Sequence, residues 1–391
     1  MTADRPQTNA VTHPVDVYRL RLPGPIAVPE RVRLAMARPM ISHRGPEFRK
    51  LWADTITKLQ PLFGTTNRVH LFASSGTGVM EAALLNILSP GERILIVENG
   101  QWGEHFSTIA KALGAVVDPI VVPWGETVDP GVLERHLDAR DYRALVLVHN
   151  ESATGVRGDL ETAGRLLRGR PTLLVSDTVS GLGGMEMRQD AWGVDILVAG
   201  SQKALMCPPG LGLMSVSDKA WKVIERDSGM PRFYFDLRRA RDASDKGEST
   251  FTPAVSLVQG LDAALDMIHE EGLANVLERH RRLSRGMKAG AAALGLKNFA
   301  TSQLQSNTVA VFHAPEGIDG RDIVRRMYEK HRTVVAGARN RMAGKMIRIG
   351  TMGAIGEGDI LTDLLHLEDV LAELGPPIKR GVAIASASAA F

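Results

Sequence analysis

The chain has 391 residues, 44% hydrophobic and 23% charged, with a formal net charge of +3 and a single cysteine, Cys207. That length buries a large core and predicts one large and one smaller domain. The scattered basic residues argue against nucleic acid binding, no apolar run approaches the ~18 residues that span a membrane, and one cysteine excludes an internal disulfide or a cysteine-based zinc site. With a polar N-terminus that lacks the apolar stretch of a secretory signal, a cytoplasmic protein is expected.

Taken in chain order, residues 1–18 read as a loose polar arm. Gly24-Pro25 and the run Ser42-His43-Arg44-Gly45-Pro46-Glu47-Phe48 follow, where a chain entering a cleft could offer backbone to a small ligand. A strand end at Phe72 turns into a helix through Ser74-Ser75-Gly76-Thr77-Gly78. Apolar strands then recur at Arg93–Val97, Ala115–Val117, Arg143–Val148, Thr172–Val175, Val194–Val198 and Gly212–Val216, with helical patterns between them. Continuous apolar strands spaced by helices predict an α/β fold, a mostly parallel sheet covered on both faces. Its polar strand ends should line a cleft at the carboxyl edge. From about Pro253 the pattern changes to long amphipathic helices, Ala254–Glu271 and Leu273–Leu294, and short strands at Thr308–Phe312 and Lys345–Ile349. The expected division is an arm at 1–18, a large domain at 19–252, a small α+β domain at 253–378 and a frayed tail at 379–391.

Lys203 and Asp177 are the most informative pair. Each follows an apolar strand, and an ammonium beside a carboxylate in a dry site makes sense if a pyridoxal ring lies between them. Lys203 would then form the Schiff base and Asp177 would hold the ring nitrogen protonated. Ser75, Gly76 and Thr77 present backbone N–H groups and hydroxyls at a helix N-terminus, which suits a phosphate as well as an ordinary N-cap. The dinucleotide fingerprint fails there, because the third glycine would fall at Glu81. Trp102, in a loop after the strand at Ile94–Val97, could stack on a flat ring or pack into the core. Ser152, in His149-Asn150-Glu151-Ser152-Ala153-Thr154-Gly155, could bond a phenolic oxygen. Arg348, inside a strand-like run, needs a partner, and a substrate carboxylate gripped by two N–H groups is one candidate.

Together these pieces resemble the class V aminotransferases of fold type I, in the alanine/serine–glyoxylate branch. The resemblance runs from about Leu20 to about Leu371. It rests on Ser42–Phe48, Ser74–Gly78, His149–Val156, Asp177–Gly184, Gly200–Leu205, Pro208-Pro209-Gly210 and Arg348-Ile349-Gly350. It implies a homodimer that binds pyridoxal 5′-phosphate at the subunit interface and acts on a small amino acid and a 2-oxo acid. Lys203 is then the Schiff-base lysine and Asp177 the ring-nitrogen partner. Trp102 is the stacking aromatic, and Ser152 contacts the ring hydroxyl. Ser75, Gly76, Thr77 and Gln202 hold the phosphate; Arg348 binds the substrate carboxylate, with Gly24 and Ser152 near the substrate. The family also supplies a tyrosine and a threonine from the neighbouring subunit, but Gly247–Pro253 here has no tyrosine, leaving Thr250 or Thr252. Phe251–Ser256 and Arg339 also resemble pyridoxamine–pyruvate aminotransferase, which uses the free vitamer as a substrate. 2-Aminoethylphosphonate transamination, cysteine desulfuration through Cys207 and a non-catalytic vitamin B6 sensor are the other readings.

Overall fold

The computed structural model describes residues 18–226, 228–338, 342–375 and 378–391, so nearly all of the expected arm, and Arg339, lie outside the described residues. After a short strand β1 (Arg19–Leu20) and helix α1 (Pro46–Phe63), the chain builds a seven-stranded sheet. Its strands are β2 (Val69–Ser74), β3 (Arg93–Glu98), β4 (Val116–Val121), β5 (Ala144–Val146), β6 (Leu173–Asp177), β7 (Ile196–Gly200) and β8 (Gly210–Val216). In space they run β2-β8-β7-β6-β5-β3-β4; β8 is antiparallel to both neighbours and the other pairs are parallel.

The reason lies in the pleat. Successive side chains of a strand point to opposite faces, so a strand buried on both sides must be apolar throughout. Leu95, Val97, Leu145, Leu174 and Leu197 fill the core on one face, and Ile94, Ile96, Val146, Val175, Ile196 and Val198 fill the other. The strands end together at the carboxyl edge, where the register sets Asp177 beside Val198. Helix α2 (Gly76–Ile87) starts there, with the Ser75 side chain capping it by accepting the Gly78 N–H, and so does α3 (Gln101–Ala112).

After β8 come α4 (Val255–Glu271) and α5 (Leu273–Ala293), within two residues of the expected helices. A three-stranded antiparallel sheet follows, built from β9 (Val309–His313), β11 (Ala336–Gly337) and β12 (Met346–Gly350) in the order β9-β12-β11. Between β9 and β11, β10 (Thr333–Val334) pairs in parallel with β1. Strand pairing therefore joins residues 19–20 to Thr333–Val334, far along the chain.

Helix α6 (Glu357–Leu374) covers the small sheet, and the last element corrects an expectation. Residues 379–391 are not a frayed tail: α7 (Val382–Ala390) is a helix with Ala383 and Ala387 fully buried. A Cβ on Gly286 of α5 would sit 2.1 Å from the Phe391 ring, and one on Gly290 would sit 2.9 Å from the Ala383 carbonyl oxygen. Bare backbone on α5 thus lets α7 approach closely, while the Arg285 guanidinium donates to the Ala390 and Phe391 carbonyls. The alanines of this segment are good helix formers once a groove accepts them.

Candidate active site

Nine residues singled out from the sequence or adjacent to them meet at one cleft on the carboxyl edge: Ser75, Gly76, Thr77, Trp102, Ser152, Asp177, Ser180, Gln202 and Lys203 line it. An open surface hollow around Arg165, Arg168 and Trp192 is larger, about 760 Å³ against about 90 Å³. Its charged rim faces solvent, whereas the smaller cleft gathers the buried reactive groups, so we place the chemistry in the smaller one.

Lys203 stands on the turn between β7 and β8 and is 8% exposed. Met206, a non-glycine residue in the left-handed region at φ 57°, closes that turn by donating its N–H to the Lys203 carbonyl. The lysine Nζ donates to the Pro23 carbonyl at 2.5 Å. Burial depresses its pKa to about 8, against the opposing pull of Asp177 and with a further push from Arg348. Asp177, 5% exposed, accepts the Val179 N–H at 2.6 Å. Burial raises its pKa to about 6, while that N–H and the lysine charge work the other way.

Behind the wall lies Glu151, to which the sequence assigned no role. Its carboxylate is fully buried and accepts the N–H groups of Trp102 (2.8 Å), Gly103 (3.4 Å) and Ala153 (3.1 Å). It thus serves the first turn of α3, whose N–H groups have no acceptor within the helix. Gly100 makes room for it, since a Cβ there would lie 2.2 Å from the Glu151 Cγ. With α3 fixed, the Trp102 indole N–H donates to Ser152 Oγ at 2.9 Å, so tryptophan and serine form one surface. Burial raises the Glu151 pKa to about 7 against those three N–H groups. No local signal ties Glu151 to Trp102, because 49 residues separate them. His105 was also missed; its Nε2 lies 3.3 Å from Thr77 Oγ1, and its position three residues after Trp102 on one helix face could have revealed it.

The other expected residues fall as follows. Gly24 (φ 117°) abuts Lys203: a Cβ would lie 2.3–2.6 Å from the lysine's Cδ, Cε and Nζ. Arg348 donates to the Gly337 carbonyl through Nε (3.1 Å) and Nη2 (2.8 Å), and Nη1 is 3.4 Å from the Ser152 carbonyl oxygen, so its head reaches the edge of the cleft. Thr252 does not join this cleft. With Thr250 and Phe251 it lines a separate small hollow beside Trp52 and Tyr234. Glu248 pairs with Arg44 and Arg49, both at 2.5 Å, and ties Gly247–Pro253 to Ser42–Phe48. Cys207 is buried, its thiol pushed up to about 12 by burial, and it faces the Leu257 carbonyl. A nucleophilic thiol needs the opposite environment.

These residues fit a flat, anionic, phosphate-bearing aldehyde. The buried amine and carboxylate suit its two ends, and the start of α2 suits a phosphate. The Gln202 amide has an oxygen that is buried without a protein partner, and with the amide turned about, its NH₂ would donate to a phosphate oxygen.

The family described as Aminotransferase class-V matches residues 32–352. The chain is 37% identical to the L-aspartate–glyoxylate aminotransferase of Paracoccus denitrificans, covering 94% of each chain. It is 36% identical to the serine–glyoxylate aminotransferase of Arabidopsis thaliana, over 95% of this chain and 94% of that one. The crystal structure of ureidoglycine–glyoxylate aminotransferase from Bacillus subtilis superposes with a TM-score of 0.92 at 29% identity, covering 96% of this chain and 98% of that one.

Proposed function

This chain belongs to the class-V aminotransferases, which use pyridoxal phosphate, and from that premise we propose that it moves the amino group of a small amino acid, serine or alanine, to glyoxylate or pyruvate. The observation that carries the reading is the convergence of a buried amine, a buried carboxylate and a capped helix start on one cleft.

Bound pyridoxal phosphate supplies an electrophilic carbon and a ring that accepts electrons from the substrate α-carbon. Lys203 would hold that carbon, and as a free amine it would take up and deliver the substrate's α-proton as a general base. A pKa near 8 leaves a usable neutral fraction at neutral pH. Asp177 would hold the proton on the ring nitrogen, its carboxylate form favoured by the Val179 N–H and the nearby Lys203 charge. Trp102 and Ser152 form the wall against the ring, joined by their own hydrogen bond. Ser75, Gly76, Thr77 and Gln202 hold the phosphate through N–H, hydroxyl and amide groups. Arg348 grips the substrate carboxylate, its guanidinium oriented by the Gly337 carbonyl.

A second copy of the chain completes the site in this proposal, through Thr250 or Thr252 on the segment that Glu248 fixes. The exposed aromatics Phe233 and Tyr234 beside that segment suit a covered interface. No helix among the described residues is long and apolar enough to cross a membrane, and we place the enzyme in the cytoplasm.

The test is the visible absorption of the purified protein, before and after separate additions of L-serine, L-alanine, L-aspartate and pyridoxamine. Bleaching by serine or alanine with glyoxylate-dependent recovery is expected. Bleaching by aspartate alone would replace the proposed donor, and a band appearing only when pyridoxal is supplied would move the protein to pyridoxamine–pyruvate transamination. Transamination retained by Lys203→Ala would overturn the assignment of the amine.

A further inference from the structure

The Lys203 amine rests on a piece of backbone that belongs to the other unit of the protein. Its acceptor is the Pro23 carbonyl, and its aliphatic stem lies against Gly24, where any side chain would overlap it. Only Leu22 separates Pro23 from Arg21, so anchor and contact are joined by at most about 7 Å of chain. Backbone bonds hold the anchor to the smaller unit: the Arg19 and Arg21 N–H groups donate to the Arg332 and Val334 carbonyls at 2.9 Å, and the Arg21 carbonyl accepts the Gly350 N–H at 2.7 Å. Gly350 ends β12, the strand that carries Arg348. The side chains hold it again. Arg21, 5% exposed, reaches Asp363 (2.5 Å, 0% exposed) and Asp359 (2.6 Å), one turn apart on α6, and Arg19 joins both carboxylates.

We propose that Arg21 and Asp363 are positioning residues for Lys203: the buried pair fixes the strap at residues 21–24, and the strap sets where the reacting amine rests when it is free. The inference rests on the reading of Lys203 as that amine. A buried ion pair is a poor source of stability, because desolvation offsets its attraction, and its better-attested use is to fix a unique geometry. Here the geometry so fixed ends on Lys203. The strap also ties the lysine of the large unit to Arg348 of the small one, so any movement of α6 or β12 relative to the sheet reaches both groups.

Two variants of the holoenzyme test this from opposite sides. Arg21→Lys keeps the charge but loses the planar fork that spans Asp359 and Asp363. Gly350→Ala leaves every charge in place and pushes on the strap, since its Cβ would lie 2.2 Å from the Leu22 carbonyl oxygen. Arg380→Lys, at an exposed ion pair with Asp369 on the same helix, is the control. Two quantities are read in each: the pH midpoint of the bound cofactor's visible absorption, and kcat with its pH profile. The proposal expects both strap variants to move the midpoint by at least about half a pH unit and to lower kcat roughly tenfold or more, with the control unchanged. If either variant folds, holds cofactor and keeps both the midpoint and kcat of the unaltered protein, the proposal is overturned, and Gly350→Ala carries the test should Arg21→Lys not fold. Lys203→Ala keeps the two ideas apart. An active Lys203→Ala protein removes the reading of the amine, whereas an inactive one beside indifferent strap variants removes only this inference.

Discussion

Replacing Glu151 with glutamine should reverse its own effect on stability across a pH range that can be calculated from the fold. The folded-state pKa of Glu151 is raised from 4.5 to about 7. A raised carboxylate contributes stability that is fully present below its unfolded pKa and lost as pH climbs to its folded pKa. The window is therefore pH 4.5 to about 7, and 2.5 pH units at 1.36 kcal/mol each amount to about 3 kcal/mol. Glutamine does not titrate, so Glu151→Gln lacks this loss. It carries a fixed penalty instead: its amide oxygen can accept from Trp102 and Gly103, but its NH₂ then faces the Ala153 N–H across 3.1 Å. A buried donor left facing a donor costs about 1–3 kcal/mol. The variant should be the weaker protein at pH 4.5 and equal or superior to the unaltered one by pH 8. Urea denaturation at half-unit steps of pH, followed by tryptophan fluorescence, measures the gap between them. A gap that stays constant from pH 4.5 to 8 would refute the argument, because it would mean Glu151 titrates alike in the folded and unfolded chains.

Other consequences are open to direct test. Gly24→Ala places a methyl within 2.3 Å of the Lys203 Cδ at a φ of 117°, so kcat should fall about a hundredfold and stability by about 1–3 kcal/mol, measured by steady-state kinetics and thermal melts. The unaltered protein should release no sulfide from cysteine, since the Cys207 thiol is buried and held neutral, and Cys207→Ser should leave transamination intact; sulfide release by the unaltered protein that disappears in Cys207→Ser would restore the desulfurase reading. His149 is buried, bonded to Thr178 Oγ1, and its pKa is pushed down to about 3 by burial. A depressed histidine gives stability that is present above its unfolded pKa of 6.5 and lost as pH falls toward the folded value. His149→Asn should therefore flatten the acid limb of the stability curve between pH 6.5 and about 3, which denaturation at graded pH would show.

Much of this protein is determined by the sequence read alone. Unbroken apolar runs such as Ile94–Val97 and Leu173–Val175 have no polar face to offer water, so they must be interior strands of a helix-covered sheet. In such a sheet the residues after the strands, Asp177 and Lys203 among them, are bound to meet at one edge. Local chemistry also marked the capped start of α2 at Ser75. Three things were decided only by the tertiary structure, each because it depends on partners remote in sequence. Glu151 is a helix-capping carboxylate only because α3 is brought to it, and nothing in the His149–Gly155 run announces that. The first strand forms because Arg19–Leu20 pair with Thr333–Val334, more than three hundred residues away, and a two-residue strand has no periodicity to read. The last residues are helical because α5 presents Gly286 and Gly290 where α7 lies. Alternation and capping are carried by neighbours along the chain, whereas burial of a single charge or a tail depends on what the rest of the fold places beside it.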